Sequence, residues 1–139
     1  MSLSPAAQKS LAKWRAMVAK RDLSDLESIV ATDAIFRSPV AYPPYPGREA
    51  VCLVLRAADA VFEDFVYHRE LVSGESDVAL EFSARVGDKK LKAIDLIRFN
   101  AAGLIQEFEV MVRPATGLMA LGAAMQAKLG AAAKGLKGG

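Results

Sequence analysis

One residue stands apart chemically in this sequence: Asp95, in the apolar segment KLKAIDLIRF. With the alternation of a β-strand, its side chain shares a face with Leu91, Ala93, Ile97 and Phe99, and its two neighbours in the chain are also apolar. A carboxylate in such surroundings loses its hydration, which raises its pKa unless hydrogen-bond donors compensate. The segment therefore predicts a buried acid whose protonation state is open.

Two interpretations of this acid follow from the residues around it. A neutral carboxylic acid in a dry pocket can donate a hydrogen bond to an oxygen that gains negative charge during a reaction. The structural alternative is a buried acid that pairs with Arg98 or Arg113, or that accepts backbone donors. We expect Asp95 to face a pocket, and a catalytic role is a further hypothesis.

The single histidine and the single cysteine, His68 and Cys52, give little support for catalysis. His68 lies on a strand among charged residues, which favours a solvent-facing position over a general base. Cys52 lies on an apolar helix face, which is typical of a small buried hydrophobe.

No second His or Cys stands at ligand spacing, so no metal site is predicted. No glycine-rich phosphate loop follows a strand, so no cofactor is expected.

The composition restricts the class of protein. The 139-residue chain is long enough for one domain with a single core. Its 18 basic and 16 acidic residues give a net charge of +2, which excludes the strongly basic surface typical of nucleic-acid binding. No apolar run is long enough to span a bilayer, and no secretory signal is visible. One cysteine permits no internal disulfide, so we expect a cytoplasmic protein that binds neither nucleic acid nor membrane.

The periodicities predict helices near both ends of the chain and a sheet between them. A helix starts at Ser4 and Pro5, and a short second helix carries the capping-box pair Ser24 and Glu27. A short strand, ATDAIFRSP, and a proline-rich loop precede a third helix, REAVCLVLRAADAVF. Four long strands joined by short hairpins follow, and each is expected to pair antiparallel with its neighbour. A last helix begins after Pro114.

This order of elements is typical of an α+β domain, in which helices cover one face of an antiparallel sheet. We predict one domain over residues 1–129. The final segment, GAAAKGLKGG, has little to bury, so residues 130–139 are predicted to form a flexible C-terminal tail.

Several strings in this order resemble the SnoaL-like members of the nuclear transport factor 2-like superfamily. DLSDLESIVATDAIFRSPV is similar to the family's helix, turn and first strand, PGREAV to the start of its third helix, and AIDLIRFNAAGLIQEFEV to its last hairpin. The resemblance implies a cone-shaped barrel, in which N-terminal helices and a C-terminal helix cover a strongly curved antiparallel sheet. It also implies an apolar pocket inside the cone and a homodimer formed through the outer face of the sheet.

The resemblance implies roles for single residues as well. Asp95 stands where the ketosteroid isomerases of this superfamily have a protonated acid in their oxyanion hole. The position of the isomerase tyrosine is Trp14 here and that of its base is Ser38, so ordinary ketosteroid isomerase activity is not expected. The epoxide hydrolases of the superfamily need a second acid, and Glu107 and Glu109 lie on a strand whose facing the sequence leaves open.

Five residues are predicted to contact a ligand in this pocket: Trp14, Ser38, Tyr42, Phe82 and Phe108. Trp14 offers an apolar wall and one N–H donor, although on a helix stripe it is first of all a core residue. Ser38 either bonds a ligand or caps the end of its strand. Tyr42 lies in the proline-rich loop that the resemblance places near the pocket mouth, and loop packing is its alternative role.

Three functions remain open from the sequence. The first is a SnoaL-like pocket protein that binds a small apolar molecule and uses Asp95 as the acid in an isomerisation, cyclisation or hydrolysis. The second is a non-catalytic binding module, which the missing tyrosine and base favour. The third is a dimeric interaction domain whose cone is filled by Trp14, Phe82 and Phe108. The fold does not select among them, so whether the protein is an enzyme stays open.

Overall fold

The computed structural model describes residues 2–137, with side chains as far as residue 130. Within these residues the chain forms three α-helices and six strands. The helices are α1 (Pro5–Lys20), α2 (Arg48–Val61) and α3 (Ala115–Lys137). The strands are β1 (Val30–Arg37), β2 (Tyr45–Pro46), β3 (Glu63–Ser73), β4 (Asp77–Val86), β5 (Lys89–Phe99) and β6 (Ile105–Arg113).

The six strands form one sheet in the order β2-β1-β6-β5-β4-β3. The four long strands, β3 to β6, pair antiparallel with their sequence neighbours, as the short hairpins predict. β1 instead pairs parallel with β6, and the connection between them includes α2 and the four strands β2 to β5. The α+β prediction is confirmed, but the sheet is mixed rather than purely antiparallel, and it is open rather than closed into a barrel.

Strand alternation places the core on one face of the sheet, and on β5 this is the face predicted from the residues around Asp95. On β4, Val78, Leu80, Phe82 and Ala84 are all buried on the inner face of the sheet. The same alternation on β5 buries every second residue from Leu91 onward. Apolar side chains of α1, α2 and α3 join this face in one continuous core, so the site lies between the helices and the sheet.

Helix α1 begins and ends with local signals that the sequence carries. The Oγ atom of Ser4 accepts a hydrogen bond from the backbone N–H of Ala7 at 3.2 Å, which caps the helix as predicted. Leu11 and Trp14 are buried on its inner face. Arg21 caps the other end in the left-handed conformation, with a φ of 53°, and this turn directs its side chain towards α2.

The predicted second helix is only a short 3-10 turn, Leu26–Ile29. Its N-cap is Asp25, which makes no side-chain capping bond, so the capping-box prediction for Ser24 is wrong. The backbone N–H of Ser24 instead donates to the carboxylate of Asp22 at 3.1 Å. Such a local side-chain bond stabilises a turn in competition with a regular helix.

Helix α3 starts after Pro114, as predicted, and continues to Lys137. Residues 130–137 are therefore helical, whereas a flexible tail was expected from position 130. The flexibility of that segment stays a prediction, and residues 138–139 lie outside the described residues. None of the described helices is both long and apolar enough to cross a membrane.

Candidate active site

Asp95 lies on β5, the strand between β4 and β6, and its side chain faces the inside of the fold. Its partners across the two neighbouring strands are Leu80 and Val110, which are both apolar. The residue is only 4% exposed. Burial raises the pKa of Asp95 to about 7, although a hydrogen bond from Tyr67 offsets part of this effect. The prediction of a buried, inward-facing acid on an apolar strand agrees with this position.

A chain of two hydrogen bonds leads to this acid. The Nε1–H of Trp14 donates to the Oη of Tyr67 at 2.9 Å, and Tyr67 donates to the Oδ2 of Asp95 at 2.7 Å. An indole can only donate, so the Tyr67 oxygen accepts from Trp14 and directs its own proton at Asp95. Burial, followed by the charge of Asp95, raises the pKa of Tyr67 well above its usual value. Tyr67 is therefore a neutral donor at ordinary pH.

The direction of this chain determines which oxygen of Asp95 is free. Among the residues whose side chains are described, only Tyr67 bonds to the carboxyl group, and it occupies Oδ2. Among the described residues, no side-chain oxygen is both fully buried and without a hydrogen bond. Because Oδ1 of Asp95 has no hydrogen bond, it must be accessible, and it is accessible from the cavity that Asp95 lines. When Asp95 is neutral, its proton belongs on Oδ1, where it can be donated to a ligand.

The cavity in front of Asp95 has a volume of about 1290 Å³. This exceeds the range of typical sites for drug-sized molecules. Its floor is the inner face of the sheet, and α1, α2 and α3 supply its walls. Most lining side chains are apolar, and the aromatic ones are Trp14, Phe36, Tyr45, Phe62, Phe65, Tyr67, Phe82 and Phe108. The arrangement suits a sizeable apolar molecule with few polar groups.

The sequence of this domain matches a known family over most of its length. A model of the SnoaL-like domain matches residues 11–108. The chain belongs to the SnoaL-like family. Its structure also shares the nuclear transport factor 2-like fold with several solved structures, as the resemblance of its strings predicts.

Two of these structures are close in sequence as well. A steroid delta-isomerase from Pseudomonas aeruginosa is 50% identical over 93% of this chain and 95% of that one, with a TM-score of 0.91. A bacterial protein with a cystatin-like fold, from Silicibacter pomeroyi DSS-3, is 39% identical over 92% of this chain and 90% of that one, with a TM-score of 0.85.

A third comparison shows the fold alone. The epoxide hydrolase/cyclase-like enzyme SalBIII, which has a role in pyran ring formation in salinomycin, is 16% identical to this SnoaL-like chain. The match covers 80% of this chain and 92% of that one, with a TM-score of 0.64. No curated protein matches the sequence.

Four of the five residues predicted to contact a ligand line the cavity of this SnoaL-like domain: Trp14, Ser38, Phe82 and Phe108. Tyr42 does not, because its side chain is 96% exposed on the outside of the loop. Tyr45, three residues later, lines the cavity instead and packs near Phe36 with 6.2 Å between ring centres. The Oγ of Ser38 accepts a hydrogen bond from the backbone N–H of Val40 at 3.0 Å, so the loop fixes its position.

Tyr67 is the site residue that sequence reasoning missed. The alternation that puts it on one face with Phe65 is visible in the sequence, but its contact with Asp95 is not. Two intervening pairings create that contact: β3 places Tyr67 opposite Phe82 on β4, and β4 pairs with β5. The curvature of the sheet then brings the phenol across to the acid.

Among the side chains that the structure describes, neither Arg98 nor Arg113 bonds Asp95, whose partner is Tyr67. Arg98 bonds Asp77 at 3.0 Å and lies 3.5 Å from Glu107, all away from the cavity. Glu107 also pairs with Arg37 at 2.5 Å. It therefore supplies no second acid beside Asp95, and Glu109 is absent from the cavity lining as well.

The positions of His68 and Cys52 agree with the simpler interpretation of each residue. The Nε2 of His68 lies 2.8 Å from the Oγ of Ser83, in an exposed contact away from the cavity. Cys52 is buried, and burial raises the pKa of its thiol, which disfavours a reactive thiolate. Within the described residues, no three His, Cys, Asp or Glu side chains come together in a way that suits a metal ion.

Proposed function

We propose that this protein binds an apolar organic molecule in the cavity, and that Asp95 donates a hydrogen bond or a proton to an oxygen atom of that molecule. The observation that carries the proposal is the chain from Trp14 through Tyr67 to Asp95, which leaves Oδ1 open to an apolar cavity. With a pKa of about 7, Asp95 is partly protonated near neutral pH, so it can both give and take a proton.

The proposed reaction class is the isomerisation or ring closure of a molecule that carries a carbonyl, enol or related oxygen. A donor held in fixed orientation in a water-poor cavity stabilises negative charge that develops on such an oxygen. The 50% identity to a steroid delta-isomerase makes ketones the first substrates to assay. Because Ser38 stands at the position that the resemblance assigns to the base, the proposal gives Asp95 only the polarisation of the substrate oxygen.

Ligand-induced stabilisation is the first test. The melting temperature is measured with steroid ketones, terpenes, aromatic polyketides and fatty acids for the native protein, Asp95→Asn and Glu109→Gln. A ligand at roughly a hundred times its dissociation constant adds about 2.7 kcal/mol to the free energy of unfolding. We expect one oxygen-bearing class to stabilise the native protein and Glu109→Gln alike, and to stabilise Asp95→Asn by a different amount.

Chemical turnover of the ligand class that stabilises the native protein is then followed by absorbance or NMR. Removing one preorganised donor from such a site lowers kcat by roughly a hundredfold to a thousandfold. We expect that loss in Asp95→Asn, whereas Glu109→Gln should retain native turnover. Equal ligand stabilisation in all three proteins, together with equal or no turnover, would reject Asp95 as the acid.

A non-catalytic binding module is the second candidate, and the side chains at two positions favour it. Trp14 and Ser38 stand where the resemblance assigns a tyrosine and a base, and both line the cavity. This candidate predicts Asp95-dependent stabilisation by a ligand that stays chemically unchanged after prolonged incubation. The same pair of measurements therefore separates the two functions.

A further inference from the structure

A second acid, Asp59, lies at the wall of the same cavity. Asp59 lies on α2, four residues after Leu55 and three before Phe62, the residue that caps the C-terminal end of this helix. This spacing puts the three side chains on one face. Leu55, Ala58, Asp59 and Phe62 all line the cavity. Asp59 is the polar member of an otherwise apolar stripe and is partly buried.

Arg21 lies close to Asp59, but its guanidinium bonds backbone oxygens rather than the Asp59 carboxylate. The guanidinium of Arg21 donates to the backbone carbonyl oxygens of Asp59 and Phe62, the latter at 2.8 Å, at the C-terminal end of α2. The Asp59 carboxylate itself accepts no bond from any side chain that the structure describes. Burial raises the pKa of Asp59, and the charge of Arg21 opposes this effect. The carboxylate thus retains unused capacity as an acceptor at the cavity wall.

The two acids project from different walls of the cavity. Asp95 lies on the sheet, whereas Asp59 projects from a helix that covers it. A series of ring contacts connects Phe62, three residues after Asp59, with Tyr67, which bonds Asp95: Phe62 is 5.4 Å from Phe82, and Phe82 is 6.0 Å from Tyr67, measured between ring centres. A ligand that reaches both acids therefore needs an elongated apolar body with one polar group at each end.

We propose that Asp59 is a specificity-determining residue that accepts a hydrogen bond from a hydroxyl group at the far end of an elongated, rigid ligand whose other oxygen meets Asp95. This inference rests on the proposed function for its ligand class. An ionised carboxylate only accepts hydrogen bonds, so the ligand group that it selects is a donor, and the adjacent guanidinium of Arg21 disfavours a cationic one. A neutral hydroxyl satisfies both conditions.

Two steroids that differ only at one end test this assignment. Testosterone carries a ketone at one end and a hydroxyl at the other, whereas androstenedione carries a ketone at both. Dissociation constants for both are measured near neutral pH by calorimetry, for the native protein, Asp59→Asn and the control Glu49→Gln. Glu49 is an exposed acid on the same helix and is absent from the cavity lining.

We expect native protein and Glu49→Gln to bind testosterone at least roughly tenfold more tightly than androstenedione, because only the hydroxyl can donate to a carboxylate. In Asp59→Asn the preference should fall to about twofold or less, since a carboxamide can bond either group. Equal native affinities, a preference that survives Asp59→Asn, or no binding of testosterone would overturn the assignment.

Asp95→Asn distinguishes a failure of this inference from a failure of the proposed function. If both steroids bind, lose affinity in Asp95→Asn and show no preference that depends on Asp59, the assignment of Asp59 is wrong while the role of Asp95 stands. If both bind with affinities that Asp95→Asn leaves unchanged, the proposed function fails, and the inference that rests on it fails too.

Discussion

The single hydrogen bond from Tyr67 controls the chemistry that Asp95 can offer. It occupies Oδ2 and leaves Oδ1 to the cavity, and it also lowers a pKa that burial raises. Because Trp14 fixes the direction of the Tyr67 hydroxyl, three side chains from α1, β3 and β5 act together on one proton. Their joint effect should be measurable in the absence of any ligand.

The first such effect is a dependence of stability on pH. The pKa of Asp95 rises from 3.8 to about 7 on folding, so the folded state binds this proton more tightly than the unfolded state. The free energy of unfolding should then fall as pH rises through this window and become level above it. We expect Asp95→Asn to remove the slope and to be more stable than native protein at mildly alkaline pH by roughly 1–3 kcal/mol.

Urea unfolding at a series of pH values measures this difference. The comparison of native protein with Asp95→Asn cancels the contributions of all other ionisable groups, which both proteins share. Parallel stability curves for the two proteins would mean that Asp95 titrates normally.

Replacing Tyr67 by Phe should raise the pKa of Asp95 further, because the bond that partly offsets burial is lost. The buried N–H of Trp14 also loses its acceptor, which should destabilise the fold by roughly 1–3 kcal/mol. Carbon NMR of the Asp95 carboxyl group measures the first effect and urea unfolding the second. Tyr45→Phe is the matched control, since Tyr45 lines the cavity without bonding Asp95. An unchanged carboxyl titration in Tyr67→Phe would contradict the direction assigned to this bond.

At the scale of elements, α3 forms one wall of the cavity because it packs closely on β5. Gly117 makes this approach possible. A Cβ atom at that position would lie 2.9 Å from both the Cβ of Leu91 and the backbone oxygen of Lys90. The helix carries Leu121, Met125 and Leu129 into the cavity, so the spacing at Gly117 determines where this wall stands.

We therefore expect Gly117→Ala to destabilise the protein by roughly 1–3 kcal/mol, as other overpacked sites do, despite the better helix propensity of Ala. Gly130→Ala in the same helix is the control, since nothing lies within 4 Å of its added Cβ. That change should be neutral or stabilising by up to about 1 kcal/mol. Urea unfolding measures both values, and equal effects of the two substitutions would show that α3 does not depend on this close approach.

Local signals predicted some of these elements and not others. The cap at Ser4 and the alternation around Asp95 are properties of neighbouring residues, and both appear in the structure as predicted. The pair Ser24 and Glu27 has the spacing of a capping box, but the carboxylate of Asp22 bonds the backbone there. A sequence pattern indicates which side-chain hydrogen bonds are possible, but it does not predict which of two competing hydrogen bonds forms.

The site is harder to predict than the strand that carries Asp95, because it depends on the whole molecule. Tyr67 is 28 residues from Asp95 and reaches it only across a curved sheet. The parallel pairing of β1 with β6 likewise depends on a crossover that no local pattern specifies. Tyr42 and Tyr45 differ by three residues, yet only the folded loop determines that Tyr45 turns inward.

The outer face of the sheet gives the prediction that belongs to the whole molecule. The helices cover only the inner face, so part of the outer face stays open to solvent. Val66, Leu71, Ile94 and Met111 lie on strands β3, β5 and β6 and are large hydrophobic residues with substantial exposure. A patch of this kind is typical of an interface between copies of a chain.

We expect two copies to associate through this face. The salt bridge between Arg69 and Glu81 of the same chain, at 2.8 Å, would then lie beside the apolar contact. Ile94→Glu should then convert a dimer to a monomer in sedimentation equilibrium, because a buried, unpaired carboxylate in the interface costs several kcal/mol. Met119→Glu is the control: Met119 is more exposed than Ile94 but lies on α3, so this variant should stay dimeric. Native protein that sediments as a monomer at all concentrations, or dissociation by both substitutions alike, would exclude the sheet face as the interface.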